Sequence, residues 1–216
     1  MLIDSWNTDS SKLAPEDQAA IQWFEARLNQ LKSDVDKAIS EFRLSEALME
    51  LYKATWTDFC SWYLEFVKRP KGESYPAAVK EKSIEFFNQL LQLLHPFMPF
   101  ITEELWQNLE ERKEGESICV QSYPTASESK DSTWLDHGES ARRIITGIRD
   151  IRQKASCKNQ DAIKLTVYGK PSEAYTAFEQ LIAKMTKAES INWVDHEVDG
   201  QESFVEKGAT FLSLIH

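Results

Sequence analysis

The chain has 216 residues, of which 42% are hydrophobic and 11% aromatic, so its composition excludes a disordered tail and suits one or two folded domains. No apolar run could span a membrane and no secretory signal opens the chain, so we expect a cytoplasmic protein without a membrane partner. The net charge of −10 disfavours DNA and RNA as partners unless a local basic surface exists. The three cysteines and four histidines show no ligand spacing, and we predict no metal site.

The first half of the chain has the periodicity of a helical bundle. After a leader over residues 1–14, Pro15 suits a first helical turn, and apolar residues then recur every three or four positions as far as Phe42. A second helix over residues 42–68 has two adjacent apolar faces, which predicts packing neighbours on both sides. One face holds Leu44, Leu48, Leu51, Phe59, Trp62 and Phe66, and the other holds Trp56, Cys60, Tyr63 and Val67.

A third helix begins near Pro76 and is interrupted by Pro96 and Pro99, since each proline removes a backbone donor and restrains the residue before it. We predict a rigid bend there, with a new helix that starts at Pro99 and ends by Gly115. Residues 15–115 are therefore predicted to form an antiparallel helical bundle. Residues 116–138 lack helical periodicity and are predicted to be a connection.

The pattern changes after Glu139. Apolar residues first recur at helical spacing, and residues 163–168 then alternate with a period of two, which predicts a strand. A helix as far as Lys187 and strands over 190–196, 203–206 and 209–215 follow. We predict a mainly α protein in which residues 139–216 form a small α+β module of helix, strand, helix and strands.

Basic residues gather on the helix that opens this module, where Asp150 is the single acid between residues 141 and 154. An arginine fork can bind a phosphate through two hydrogen bonds, so this helix is a candidate RNA-binding element. Its candidate contacts are Arg142, Arg143, Arg149, Arg152 and Lys154. The alternative is a solvated flank that pairs with the acidic bundle. Lys68, Arg69 and Lys71 form a second candidate patch, whose alternative role is interaction with a helix C-terminus.

Aromatic side chains crowd the second helix and could stack on unpaired bases. Their helical spacing is more typical of core packing, so we do not count them among the RNA contacts. The predicted core residues are Trp56, Phe59, Trp62, Tyr63 and Phe66. The sequence has no Ser-His-Asp, Cys-His, GxGxxG or GxxxxGK[ST] arrangement, so it predicts no catalytic or cofactor-binding residue.

Two segments carry a family resemblance: FRLSEALMELYKATWTDFCSWYLEFVK over residues 42–68 and HPFMPFITEELWQ over residues 95–107. They resemble the anticodon-binding region of class I aminoacyl-tRNA synthetases, most closely the valyl-tRNA synthetases. The resemblance implies that tRNA(Val) is the partner and that the parent enzyme joins valine to tRNA(Val) using ATP and Mg²⁺. The catalytic and editing sites would precede residue 1, so this chain would be catalytically inert and would hold no cofactor.

The same resemblance leaves two alternative assignments open, and one short motif could be mistaken for an ATP-binding loop. The equivalent domain of an isoleucyl- or leucyl-tRNA synthetase and a freestanding helical protein-interaction module both stay open. Residues 184–188, KMTKA, resemble the ATP-binding lysine loop of class I enzymes, but they close a helix before a strand, so we do not assign that role. The family's bundle has a further helix ahead of Pro15, so we expect an excised fragment. Its truncation would expose the Ile21–Phe42 or Phe59–Phe66 face and favour a non-native dimer.

Overall fold

The computed structural model describes residues 6–127, 132–154, 163–168, 170–171 and 173–195, and the strand backbones over 203–206 and 209–214. Cys157 lies outside this description, as do His196 and Ile215, the last residues of two predicted strands. The chain divides into two compact units, Met1–Asp131 and Ser132–His216, which we describe separately. None of the described helices is both long enough and apolar enough to cross a membrane.

The first unit is a bundle of helices joined by short turns. Its helical elements are α1 (Pro15–Ser40), α2 (Leu44–Lys53), a π-helical segment (Ala54–Tyr63), α3 (Leu64–Val67), α4 (Ala77–Leu94), α5 (Pro99–Leu109) and a 3₁₀ turn (Ile118–Val120). A two-residue strand β1 (Thr8–Asp9) pairs in parallel with β2 (Tyr75–Pro76). The predicted helix starts at Pro15 and Pro99 are confirmed, because proline at a first helical position loses no hydrogen bond.

An aromatic cluster fills the core of this bundle. Phe24 of α1 packs against Phe59, Tyr63 and Phe86, with ring centroids 5.1–5.3 Å apart. All four rings are buried, and the Tyr63 hydroxyl lies 2.9 Å from Ser83 Oγ, so its polar atom has a partner. Burial raises the pKa of Tyr63 above its ordinary value. The predicted core positions of Phe59, Tyr63 and Phe66 are therefore confirmed.

The second predicted helix is helical from Leu44 to Val67, but its middle is wound as a π-helix. The Ser61 hydroxyl donates to the Trp56 carbonyl, five residues earlier, across 2.9 Å. A π-helical turn holds more residues than an α-helical turn, so this segment rotates later side chains away from the face that a 3.6-residue period extrapolates. Trp56, near the start of this segment, is exposed although it was predicted as a core residue, while Trp62 is half-buried.

The predicted bend at Pro96–Pro99 is confirmed. Helix α4 ends at Leu94, whose carbonyl accepts from the Phe97 and Met98 amides, and α5 begins at Pro99. Past α5 the chain returns across the α4–α5 corner. A satellite cluster of Leu91, Trp106, Leu109 and Ile118 holds this return in place.

The second unit combines two helices with a four-stranded sheet. Its elements are α6 (Thr133–Lys154), β3 (Ile163–Tyr168), α7 (Glu173–Thr186), β4 (Ala188–Val194), β5 (Ser203–Glu206) and β6 (Ala209–Leu214). The strand order is β4-β3-β6-β5, with β3 parallel to β4 and antiparallel to β6. Helix α5 ends at Leu109 and helix α6 begins at Thr133, ahead of the predicted Glu139, so the connection lies earlier in the chain than the predicted 116–138.

Candidate nucleic-acid interface

Helix α6 presents part of its predicted cation set to solvent. The buried side of the helix is apolar and includes Ile144, Ile148 and Ile151. Arg143, Arg149 and Lys154 are exposed. Arg142 is half-buried, and its Nη1 donates to Glu139 Oε1 across 2.8 Å. Arg142 therefore carries a partly neutralised charge, and the exposed side chains of Arg143, Arg149 and Lys154 lie where a phosphate can approach them.

Arg152 has a different position from the other α6 cations. It is 4% exposed, and its Nη1 donates to the Thr186 carbonyl at the end of α7 across 2.9 Å. The bond ties α6 to α7 and satisfies a buried carbonyl at a helix C-terminus. Because Arg152 is buried and bonded to α7, we do not propose it as a phosphate contact. A helical wheel places Arg152 at the edge of the apolar face but does not show that α7 covers that edge.

The residues of the second basic patch, at the end of α3, also differ in their exposure and in their partners. Arg69 forms an ion pair with Asp17, which is fully buried in α1, and this ties the end of α3 to α1. Lys68 is exposed and donates to Glu65 Oε1 across 2.8 Å, and this hydrogen bond raises the pKa of Lys68. Lys71 is exposed in the turn that follows. Lys68 and Lys71 stay candidates for RNA binding, while Arg69 has a structural partner.

An exposed apolar stripe on α2 was missed by the sequence analysis. Here "the α2 stripe" means Phe42, Leu44, Leu48, Met49, Tyr52 and Trp56, all of which are exposed. Phe42 is 90% exposed and has φ of 58°, a left-handed conformation that is uncommon for a bulky residue and turns the chain between α1 and α2. The fourfold spacing from Leu44 to Trp56 was the available signal, but Leu44 and Leu48 were assigned to one predicted buried face and Trp56 to the other.

A second exposed apolar group lies at the α4–α5 corner. Phe100 is 91% exposed, and its neighbours Met98 and Ile101 are also exposed. Scattered apolar residues need no explanation, but contiguous exposed groups mark binding surfaces. The expected exposure of the Ile21–Phe42 and Phe59–Phe66 faces is wrong for most of their residues. Ile21, Phe24, Phe59 and Phe66 are buried, and the exposed apolar surface lies on α2 and α5 instead.

The first unit is an α-helical bundle with exposed aromatic side chains. The second is a small α+β unit whose first helix has exposed arginines and a lysine. Comparison with known proteins gives the family. A family model described as "Anticodon-binding domain of tRNA ligase" matches residues 22–167. The chain belongs to this family of anticodon-binding domains.

The individual relatives that the chain resembles are valine–tRNA ligases. The chain is 43% identical over 205 residues to a valine–tRNA ligase of Parabacteroides distasonis, a match that covers 94% of this chain and 23% of the relative. It is 41% identical over 205 residues to a valine–tRNA ligase of Porphyromonas gingivalis, with the same coverage. It is 33% identical over 199 residues to a Bacillus cereus valine–tRNA ligase, covering 88% of the chain and 21% of the relative. The chain thus spans about a quarter of the length of these curated relatives.

Proposed function

We propose that this chain is the tRNA-binding region of a cytoplasmic valine–tRNA ligase and that its partner is tRNA(Val). The family match and the identity to valine–tRNA ligases support this assignment. The parent enzyme would attach valine to tRNA(Val) with ATP and Mg²⁺. That chemistry belongs to parts of the enzyme outside this sequence, so none of its steps is assigned to the residues described here.

The observation that carries the proposal is the exposure of Arg143, Arg149 and Lys154 on one helix of an acidic chain. An acidic protein can bind a polyanion only through a local positive field, and α6 supplies one. Its arginines can each contact a phosphate through two hydrogen bonds. These contacts fix the position of the RNA but carry no sequence information.

The second contact in the proposal is the α2 stripe. Anticodon bases are unstacked and single-stranded, so they can pack on exposed aromatic faces. Tyr52 and Trp56 offer such faces, because both side chains are more than half exposed. Phosphate binding by α6 and base stacking on α2 are made by different units, and each can be tested alone.

The phosphate contacts are tested by filter retention of tRNA(Val) and of a non-cognate tRNA across a salt series. The double variant Arg143→Ala/Arg149→Ala should weaken binding and reduce the slope of log K against log salt by roughly 0.7–0.9 per lost phosphate contact. Lys170→Ala is the control, since Lys170 is an exposed cation of the same unit outside α6. An unchanged salt slope in the double variant would refute the α6 contacts.

Base stacking is tested with Tyr52→Ala and Trp56→Ala against Tyr123→Ala, an exposed aromatic residue outside the α2 stripe. A stacked base contributes about 1–3 kcal/mol, which corresponds to about a 5- to 150-fold loss of affinity. Equal affinities for all three variants would remove the α2 stripe from the interface. Sedimentation of the wild type belongs to the same experiment. A dimer that Trp56→Ala abolishes would mean that this surface binds protein rather than RNA.

A further inference from the structure

Three metal-ligating side chains meet at the α4–α5 corner. His95 directly follows α4, Glu103 lies on α5, and Cys119 lies in the 3₁₀ turn of the returning chain. One donor atom from each residue lies within 4.8 Å of the other two. His95 Nε2 is 3.0 Å from Cys119 Sγ. No sequence motif predicted this group, because its members are far apart in the chain and are brought together by the Pro96–Pro99 bend and the return of the chain.

We assign the Nδ1–H tautomer to His95 from its hydrogen-bond partners. The Thr102 hydroxyl donates to the Met98 carbonyl across 2.8 Å, which occupies its single hydrogen. The same oxygen is 2.7 Å from His95 Nδ1, so it accepts from an Nδ1–H group. In this tautomer the lone pair of the ring is on Nε2, the nitrogen that faces Cys119. A histidine that binds a metal through one ring nitrogen commonly donates from the other in this way.

Glu103 is oriented just as firmly. Its Oε2 accepts from Ser117 Oγ across 2.7 Å and from the Ile118 amide across 3.1 Å. Its Oε1 accepts from Gln107 Nε2 across 2.8 Å. A charged carboxylate held by several donors stays in place at little further entropic cost when a cation arrives. Ser117 also accepts from the Cys119 amide across 3.2 Å, so the same residue positions two of the three candidate ligands.

We propose that His95, Glu103 and Cys119 form a zinc-binding site that fastens the returning chain to the α4–α5 corner. Imidazole, carboxylate and thiolate are the ligands that Zn²⁺ binds in proteins, whereas Mg²⁺ and Ca²⁺ prefer oxygen alone. Three protein ligands leave the fourth tetrahedral position to water. On binding, three metal–ligand bonds form and the Cys119 S–H proton passes to solvent, so thiolate and carboxylate together balance the charge of the ion.

The His95–Cys119 pair needs little change to hold the ion, whereas the Glu103 carboxylate, within 4.8 Å of both, would close on it. Zn–N and Zn–S bonds of about 2.0 and 2.3 Å at a tetrahedral angle place the two ligand atoms roughly 3.5 Å apart. The Nε2–Sγ separation of 3.0 Å therefore has to open slightly. Cys119 is exposed and can move by this amount, and its exposure also gives the ion a path from solvent. The metal would then cross-link three segments at the corner that carries the exposed Phe100.

The test titrates the full chain with Co²⁺, a spectroscopic substitute for Zn²⁺, and then displaces it with Zn²⁺. The protein used carries Cys60→Ser and Cys157→Ser, which leaves Cys119 as its one thiol. The expected result is one Co²⁺ per chain with thiolate-to-cobalt absorption. Adding Cys119→Ser should abolish this absorption. Thr102→Val, which removes the partner of His95 Nδ1, should weaken Zn²⁺ binding by about 10- to 100-fold in a chelator competition.

Two outcomes would overturn the proposal. The first is an absence of thiolate-to-cobalt absorption in the Cys119-only protein, which would leave a simple hydrogen bond between His95 and Cys119. The second is a Zn²⁺ affinity that neither Thr102→Val nor His95→Ala lowers, which would mean metal binding by the thiol without the histidine. Circular dichroism of each variant verifies folding. A rise of the melting temperature on Zn²⁺ addition, absent in Cys119→Ser, is the readout that does not depend on cobalt.

Discussion

The ion pair between Arg27 and Asp58 gives the sharpest stability prediction. Arg27 Nε lies 2.8 Å from Asp58 Oδ2, and the two side chains are 11% and 1% exposed. Arg27→Met keeps the apolar stem but removes the guanidinium that compensates the buried carboxylate. Because removing one partner of a buried ion pair costs about 3–5 kcal/mol, we expect the free energy of unfolding to fall by about that amount.

The chain contains a matched control in the Lys68–Glu65 pair. Its N–O distance is also 2.8 Å, but the two side chains are 61% and 47% exposed. Lys68→Met should cost less than about 1 kcal/mol, because solvent screens an exposed pair and ordering two long side chains opposes it. A second control, Arg27→Met/Asp58→Leu, removes both buried charges. It should recover most of the stability lost in Arg27→Met, since two apolar residues can replace a buried pair at little cost.

The assay is urea unfolding followed by tryptophan fluorescence, for which Trp23 in the core of the same unit is a natural reporter. The midpoint should shift without a change of slope, because the surface exposed on unfolding stays the same. Equal losses in Arg27→Met and Lys68→Met would refute the argument that burial sets the magnitude. A double variant as unstable as Arg27→Met would also refute it, since the loss would then come from packing rather than charge.

Two further predictions concern single hydrogen-bonded groups. The pKa of Tyr63 is raised by burial from an ordinary value of 10.0, so the phenol ionises first in the unfolded state and stability should fall as pH rises above that value. In urea unfolding at pH 8, Tyr63→Phe should be about 1 kcal/mol less stable than wild type, because the hydrogen bond to Ser83 is lost. When the pH is raised above 10, the stability of Tyr63→Phe should fall by less than that of wild type. Arg152→Met should destabilise the second unit by about 1.5–3 kcal/mol in thermal unfolding, because the Thr186 carbonyl loses a charged donor. Arg149→Met, at an exposed position of the same helix, should stay within about 0.5 kcal/mol of wild type.

Periodicity and proline positions predicted most of the elements. Pro15 and Pro99 begin helices, and α7 and the strand over 163–168 lie where alternation and helical spacing placed them. These features depend on local backbone preferences, which a single sequence contains. The π-helical segment was not predicted, because a hydrophobic period cannot reveal that ten residues are wound more widely. Trp56 continues the exposed line of Leu44, Leu48 and Tyr52, and hydrophobic spacing alone did not show that this side of the helix is exposed.

The candidate site was harder to predict than the fold, because it depends on what covers each helix. Arg149 and Arg152 lie close together in sequence, yet one is exposed and the other is buried against the end of α7. Similarly, nothing in the spacing of His95 and Cys119 shows that the chain returns to the corner between α4 and α5. Residue type alone indicated which groups could bind a phosphate or a metal. Tertiary packing decides which of them can reach one.

The distribution of paired cations explains how an acidic chain can serve as an RNA-binding region. In the described part of the first unit, Arg27, Arg69 and Lys82 are engaged with carboxylates of the same unit. A cation neutralised within a few ångströms adds little field at a distance, since screening acts over about 8 Å at physiological salt. Arg149 and Lys154 are exposed on α6 of the second unit. Salt should therefore weaken RNA binding far more than it weakens the bundle, because the bundle's strongest ion pairs are buried and the proposed RNA contacts are not.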